Sequence, residues 1–156
     1  ATIVFPRNSE NILFFEYAKF LQGFRAASTN PFKGRLAAKL FRLFGGLFIP
    51  PKAGSIKKLE SGVLSISGDF FINWRHGVKS LIPIGVTYRR AKKAIDDAIL
   101  TGGVVNFWLH PHNLITGDRQ FELLRMIVQY VSKLDKDGIV QSCTQKDLLS
   151  VDPREI

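Results

Sequence analysis

Six residues constrain the fold more than any others: Val104-Val105-Asn106-Phe107-Trp108-Leu109, bounded by Gly102-Gly103 and by His110-Pro111. A short apolar run closed by turn residues reads as a buried strand. Pro111 ends it, because proline has no N–H for a ladder. Helical periodicity flanks the strand on both sides. One helix is expected from Thr87 or Tyr88 to Leu100, closed by Gly102-Gly103, and another from Arg119 or Gln120 to Leu134, closed by Gly138. Residues 139–142 read as a last short strand, and Thr144 as the N-cap of a final turn over residues 145–149.

The front of the chain has the same rhythm. Residues 2–5 form an apolar run stopped by Pro6, and Asn8 or Ser9 can cap a helix in which Ile12, Leu13, Tyr17, Phe20 and Leu21 recur at helical spacing. Gly23 stops that helix, and residues 24–27 read as a second strand. Strand–helix–strand in so short a stretch favours a parallel α/β arrangement. In the middle, residues 33–44 predict a basic amphipathic helix, which could lie on a membrane surface but more often packs its apolar side on a neighbour. Pro50-Pro51 and Gly54 make a loop, residues 63–67 a strand, and residues 69–74 its continuation or an aromatic loop. With 156 residues, no linker and no repeat, the expectation is one domain over residues 1–156.

Charge narrows the partners. The net charge is +9, and the excess is concentrated: between Lys33 and Lys93 there are 13 Lys or Arg, with Glu60 and Asp69 as the acids. Such a segment attracts polyanions. No zinc finger, RNP-type aromatic motif or heptad-linked basic region is present, so nucleic acid is not expected as a partner. No run approaches the roughly 18 apolar residues of a membrane span. The opening Ala-Thr-Ile-Val-Phe lacks a basic region, so no signal peptide is read there, and its lack of Met allows that the natural front is missing.

Three places could carry chemistry. The first is Leu109-His110-Pro111-His112-Asn113, at the carboxyl end of a strand, where parallel α/β folds place their ligand sites. His110 and His112 are two apart, so on an extended backbone both point to one side. The second is Phe5-Pro6-Arg7-Asn8, where Arg7 could hold a carboxylate ionised and oriented. The third is Ser67-Gly68-Asp69 with Phe70, Phe71 and Trp74, an acid among aromatics that suits either a sugar-binding wall or an ordinary core. No GxSxG elbow, GxxxxGK[ST] or GxGxxG is present. Cys143 is single and has no basic helper, so neither a disulfide nor a cysteine nucleophile is expected.

Phe5-Pro6-Arg7-Asn8, the helix after it and Gly23-Phe24-Arg25 resemble the middle of a NodB-homology polysaccharide deacetylase (carbohydrate esterase family four). Val105 through Leu114, carrying the HPHN element, resembles that family's late histidine motif, and the following helix, Gly138 and Thr144 resemble its end. The resemblance covers nearly the whole chain and is vaguest between Asn30 and Glu60.

The resemblance implies a distorted (β/α) barrel of the glycoside hydrolase–deacetylase type, of which this chain is the C-terminal portion. It implies a hydrolase of carbon–nitrogen bonds other than peptide bonds, removing N- or O-acetyl groups from an acetylated polysaccharide or cell-envelope glycan. In the family a divalent metal, commonly zinc, is held by an Asp and two His from early motifs, while another early Asp deprotonates the metal-bound water. Carried over, His110 resembles the general acid, Arg7 the arginine that orients the catalytic Asp, and Asp69 the acid that supports the late His. Trp108, Leu109, Trp74 and Asn113 are the expected substrate contacts. The TFDDG-like and HxxxH motifs are not in these 156 residues, and His76, His110 and His112 have no HxxxH spacing. The expectation is therefore no metal ligand in this chain, no activity alone, and association with the missing half or with a second copy through open sheet edges. Two other readings stay open: a noncatalytic module holding an anionic glycan through the basic segment, and an HxH metal hydrolase in which His110 and His112 are ligands.

Overall fold

The computed structural model describes residues 2–4, 22–25, 51–72 and 75–150. They form a mixed α/β fold with two α-helices and small sheets. In chain order the strands are β1 (Thr2–Val4), β2 (Gly23–Arg25), β3 (Ile56–Lys58), β4 (Leu64–Ile66), β5 (Asp69–Phe71) and β6 (Asn106–Trp108). The helices are α1 (Ile84–Thr101) and α2 (Asp118–Lys136). The expected helices over residues 10–21 and 33–44 lie outside the described residues.

One sheet has the order β1-β2-β4-β3, with β1, β2 and β4 parallel and β3 antiparallel at the edge. The other is the parallel pair β5-β6, with Asp69 opposite Asn106 and Phe71 opposite Trp108. The expected parallel arrangement thus holds for β1, β2, β4, β5 and β6, and β3 is a departure from it. Residues 63–72 do not run on as one strand, because Gly68, at φ +90, breaks the chain between β4 and β5. A Cβ there would sit 2.2 Å from the Val104 carbonyl oxygen, and one on Gly54 would sit 2.1 Å from the Gly68 nitrogen. This closeness lets Gly54 and Val104 exchange backbone hydrogen bonds of 2.8 and 2.9 Å, while the Asn106 N–H donates to the Gly68 carbonyl at 2.9 Å. The two sheets are stitched together at that point.

Both long helices form where the periodicity puts them, each somewhat longer than expected. The buried face of α1 is Thr87, Ala91, Ala94 and Ile95, and that of α2 is Gln120, Leu123, Ile127 and Leu134. These recur at i, i+3, i+4 and i+7 spacing. Phe70, Ile72, Ala91, Ala94, Leu123 and Ile127 make one buried cluster, with Val105, Phe107 and Leu109 packed against it. Burying each large side chain there contributes about 1.5–3 kcal/mol.

The strand expected over residues 139–142 does not form. Gly138 adopts φ +69 and donates to the Asp135 carbonyl at 3.0 Å, while Ile139 N–H donates to the Leu134 carbonyl at 2.9 Å. This is a complete Schellman closure. Val140 N–H also bonds the Leu134 carbonyl, and Ser142 N–H the Asp135 side chain. The donors that a ladder would need are used to end α2. Thr144 does begin the final turn: its Oγ1 accepts from the Asp147 N–H at 3.3 Å, ahead of the 3-10 segment Asp147–Ser150.

Candidate active site

Because β5 and β6 are parallel, their carboxyl ends meet. Phe71 and Trp108, paired in register, have ring centroids 4.3 Å apart. Three residues beyond Trp108, Pro111 forces the chain out of the strand into the 3-10 segment Pro111–Thr116, with His110 extended at its N-cap. The His110 imidazole is exposed. It meets the Trp108 ring edge-on at 5.4 Å and the Phe71 ring at 5.8 Å. His112, also exposed, stacks on His110 at 5.2 Å with planes 10° apart. Alternation along a strand does not produce this pairing, since His112 lies within the 3-10 turn.

Behind this aromatic wall lies a buried ion pair. Arg25 ends β2, and its guanidinium carbon is 4.3 Å from the centre of the Trp108 ring. Its Nε is 3.3 Å from Asp69 Oδ2, the two side chains being only 7% and 4% exposed. Asn106, opposite Asp69 in the ladder, donates its Nδ2–H to Asp69 Oδ1 at 3.1 Å. Burial pushes the Asp69 carboxyl above the usual aspartate range, against the opposing pull of Arg25 and then of Asn106. Contacts therefore run from Asp69 through Arg25 and Trp108 to His110.

Of the residues singled out from sequence, the fold gathers His110, Trp108, Asp69 and Phe71 into one place. Asp69 does not support His110 directly; its hydrogen-bond and ion-pair contacts are with Asn106 and Arg25. Leu109 is half-buried and packs on the core cluster. Asn113, expected to touch substrate, is 1% exposed, because the 3-10 turn directs it inward as its N–H bonds the His110 carbonyl at 2.9 Å. Arg7 and Trp74 lie outside the described residues. Cys143 is exposed, and partial burial followed by nearby Asp147 pushes its thiol up, away from the reactive thiolate.

Arg25 is the residue that sequence reasoning missed. Its signal was present: an arginine closing an apolar strand needs a counter-ion, and Asp69 is one of two acids in the basic stretch.

The site can offer a proton from an exposed imidazole, the side chain suited to that task near neutral pH, beside an apolar face that can lie against a sugar ring. Among the described residues no group of three or more His, Cys, Asp or Glu could hold a metal. The stacked imidazoles also keep their in-plane lone pairs in separate parallel planes, which do not converge on one ion. No family model, curated protein or solved structure matches the chain. No described helix is long and apolar enough to cross a membrane.

Proposed function

We propose that this chain is the proton-donating portion of a polysaccharide deacetylase of the NodB-homology type, acting on acetylated glycans. The observation that carries the reading is the placement of His110: exposed, at the carboxyl end of β6, with Trp108 and Phe71 beside it. A sugar lying on that aromatic face brings its acetamido nitrogen or ester oxygen within reach of the imidazole. Once water has added to the acetyl carbonyl, protonated His110 gives its proton to that departing atom as its bond to the acetyl carbon breaks and the acetyl group leaves as acetic acid. Trp108 bounds the space for the acetyl group, while Leu109, on the opposite face of the strand, packs on the core cluster. Arg25 and Asp69 set the position of the Trp108 ring against which His110 leans.

The metal-holding residues belong, in this reading, to polypeptide preceding these residues. The test is acetate release from N-acetylglucosamine oligosaccharides, by the chain alone and by the chain preceded by polypeptide bearing the early motifs. The longer protein is expected to release acetate, and the chain alone to release none. Release by the chain alone, or none by the longer protein with divalent ion supplied, would overturn the proposal. The stacking of His110 on His112 favours a proton donor over a shared metal ligand.

A further inference from the structure

Away from the histidines, a groove of about 560 Å³ runs along the far edge of β6. One wall is residues 104–107, the other residues 139–143, and Ile66 and Ile95 are among the side chains that line it. None of its lining residues is charged. Ile99 and Ile139, at 40% and 51% exposed, put further apolar surface around it.

The backbone says what such a groove takes. Val104, Asn106 and the carbonyl of Trp108 spend their hydrogen bonds on Gly54, Gly68 and Ile72. In a parallel ladder alternate residues face opposite edges, so the N–H and C=O of Val105 and Phe107 point the other way, towards the groove. Among the described residues they meet no backbone partner there. Residues 139–142 do not pair with them: Ile139, Val140 and Ser142 turn their N–H groups back to the end of α2. An acyl chain would fill the volume but leave those polar groups unmet. An extended peptide meets both demands. The contrast with β3 points the same way: that edge carries exposed Lys57 and Lys58, charges that discourage strand pairing, whereas the groove carries none.

We propose that this groove is a strand-acceptor site: it takes an extended segment of another polypeptide, about four residues long and uncharged within the groove, which pairs with Val105 and Phe107 as the next strand beyond β6. The site is independent of the hydrolase reading.

The test uses the whole chain and amide hydrogen exchange resolved by residue. The probe is a capped peptide of alternating threonine and valine with one lysine at each end, and the control is the same peptide N-methylated at alternate amides. The peptide is expected to slow exchange at Val105 and Phe107 at least about tenfold, while the control does not. Val140→Asp, a half-buried groove position, is expected to abolish that protection with an unchanged circular dichroism spectrum. If Val140→Asp unfolds the chain, Val140→Thr, which keeps the shape, is expected to retain protection. No slowing at millimolar peptide overturns the proposal. Equal slowing by the N-methylated control shows an apolar ligand site and overturns strand pairing. Protection in the free chain that appears with dimer formation gives the groove to a second copy and likewise overturns it.

Discussion

Arg25→Met keeps an unbranched side chain as far as the Nε position and removes the guanidinium over Trp108 with its charge. The Asp69 carboxylate, 4% exposed, is then left without the guanidinium 3.3 Å away. At an effective dielectric of about 20, two unit charges at that separation attract by about 5 kcal/mol. This is an upper limit, because guanidinium charge is delocalised and the pair already carries a desolvation cost. Removing one partner of a buried pair costs about 3–5 kcal/mol, and that is the destabilisation expected in urea unfolding at pH 7. The sign with pH follows from proton counting. Burial already holds the Asp69 carboxyl above its unfolded value, so the folded state binds the proton more tightly, and without Arg25 more tightly still. The cost of Arg25→Met is therefore full above the variant's folded value and shrinks as pH falls through it towards the parent's folded value. The double variant Arg25→Met/Asp69→Leu, which removes both charges, is expected to recover most of the loss. A single variant within about 0.5 kcal/mol of the parent, or a penalty that grows on acidification, would refute the buried-pair reasoning.

Leu123, with no exposed surface at the centre of the core cluster, should cost about 2–5 kcal/mol as Leu123→Ala in the same assay. Gly68→Ala, facing the Val104 carbonyl oxygen at φ +90, should cost about 3 kcal/mol or more, whereas Gly62→Ala, at φ +81 in open space, should cost only about 1–2 kcal/mol. Similar costs at the two glycines would mean that the sheets are not joined at Gly68. His110→Ala should leave stability within about 0.5 kcal/mol, since the ring is exposed; a larger loss would make His110 a structural residue.

The two helices and a strand before His110 were legible from local pattern: apolar residues at helical spacing in α1 and α2, and the mostly apolar run 104–109 around β6, although β6 is shorter than that run and half-buried rather than buried. Legibility failed where a distant partner decides the outcome. Residues 139–142 have strand-like composition, but Gly138 can turn left-handed and return their N–H groups to α2. The split of residues 63–72 into β4 and β5 rests on the backbone contact of Gly68 with Val104, which local pattern does not contain. The site was half-visible for the same reason. His110 at a strand end follows from Pro111 and the apolar run. That Arg25, rather than His110, faces Asp69 depends on how β2 and β5 lie in the fold.

The central claim is that His110 protonates a leaving atom, and leaving-group dependence tests it most directly. In the protein that joins the early motifs to this chain, His110→Ala should lower kcat on an N-acetylated sugar by a factor on the order of 10²–10⁴. Hydrolysis of p-nitrophenyl acetate, whose leaving group departs without a proton, should be nearly unchanged. An equal loss on both substrates would contradict the account.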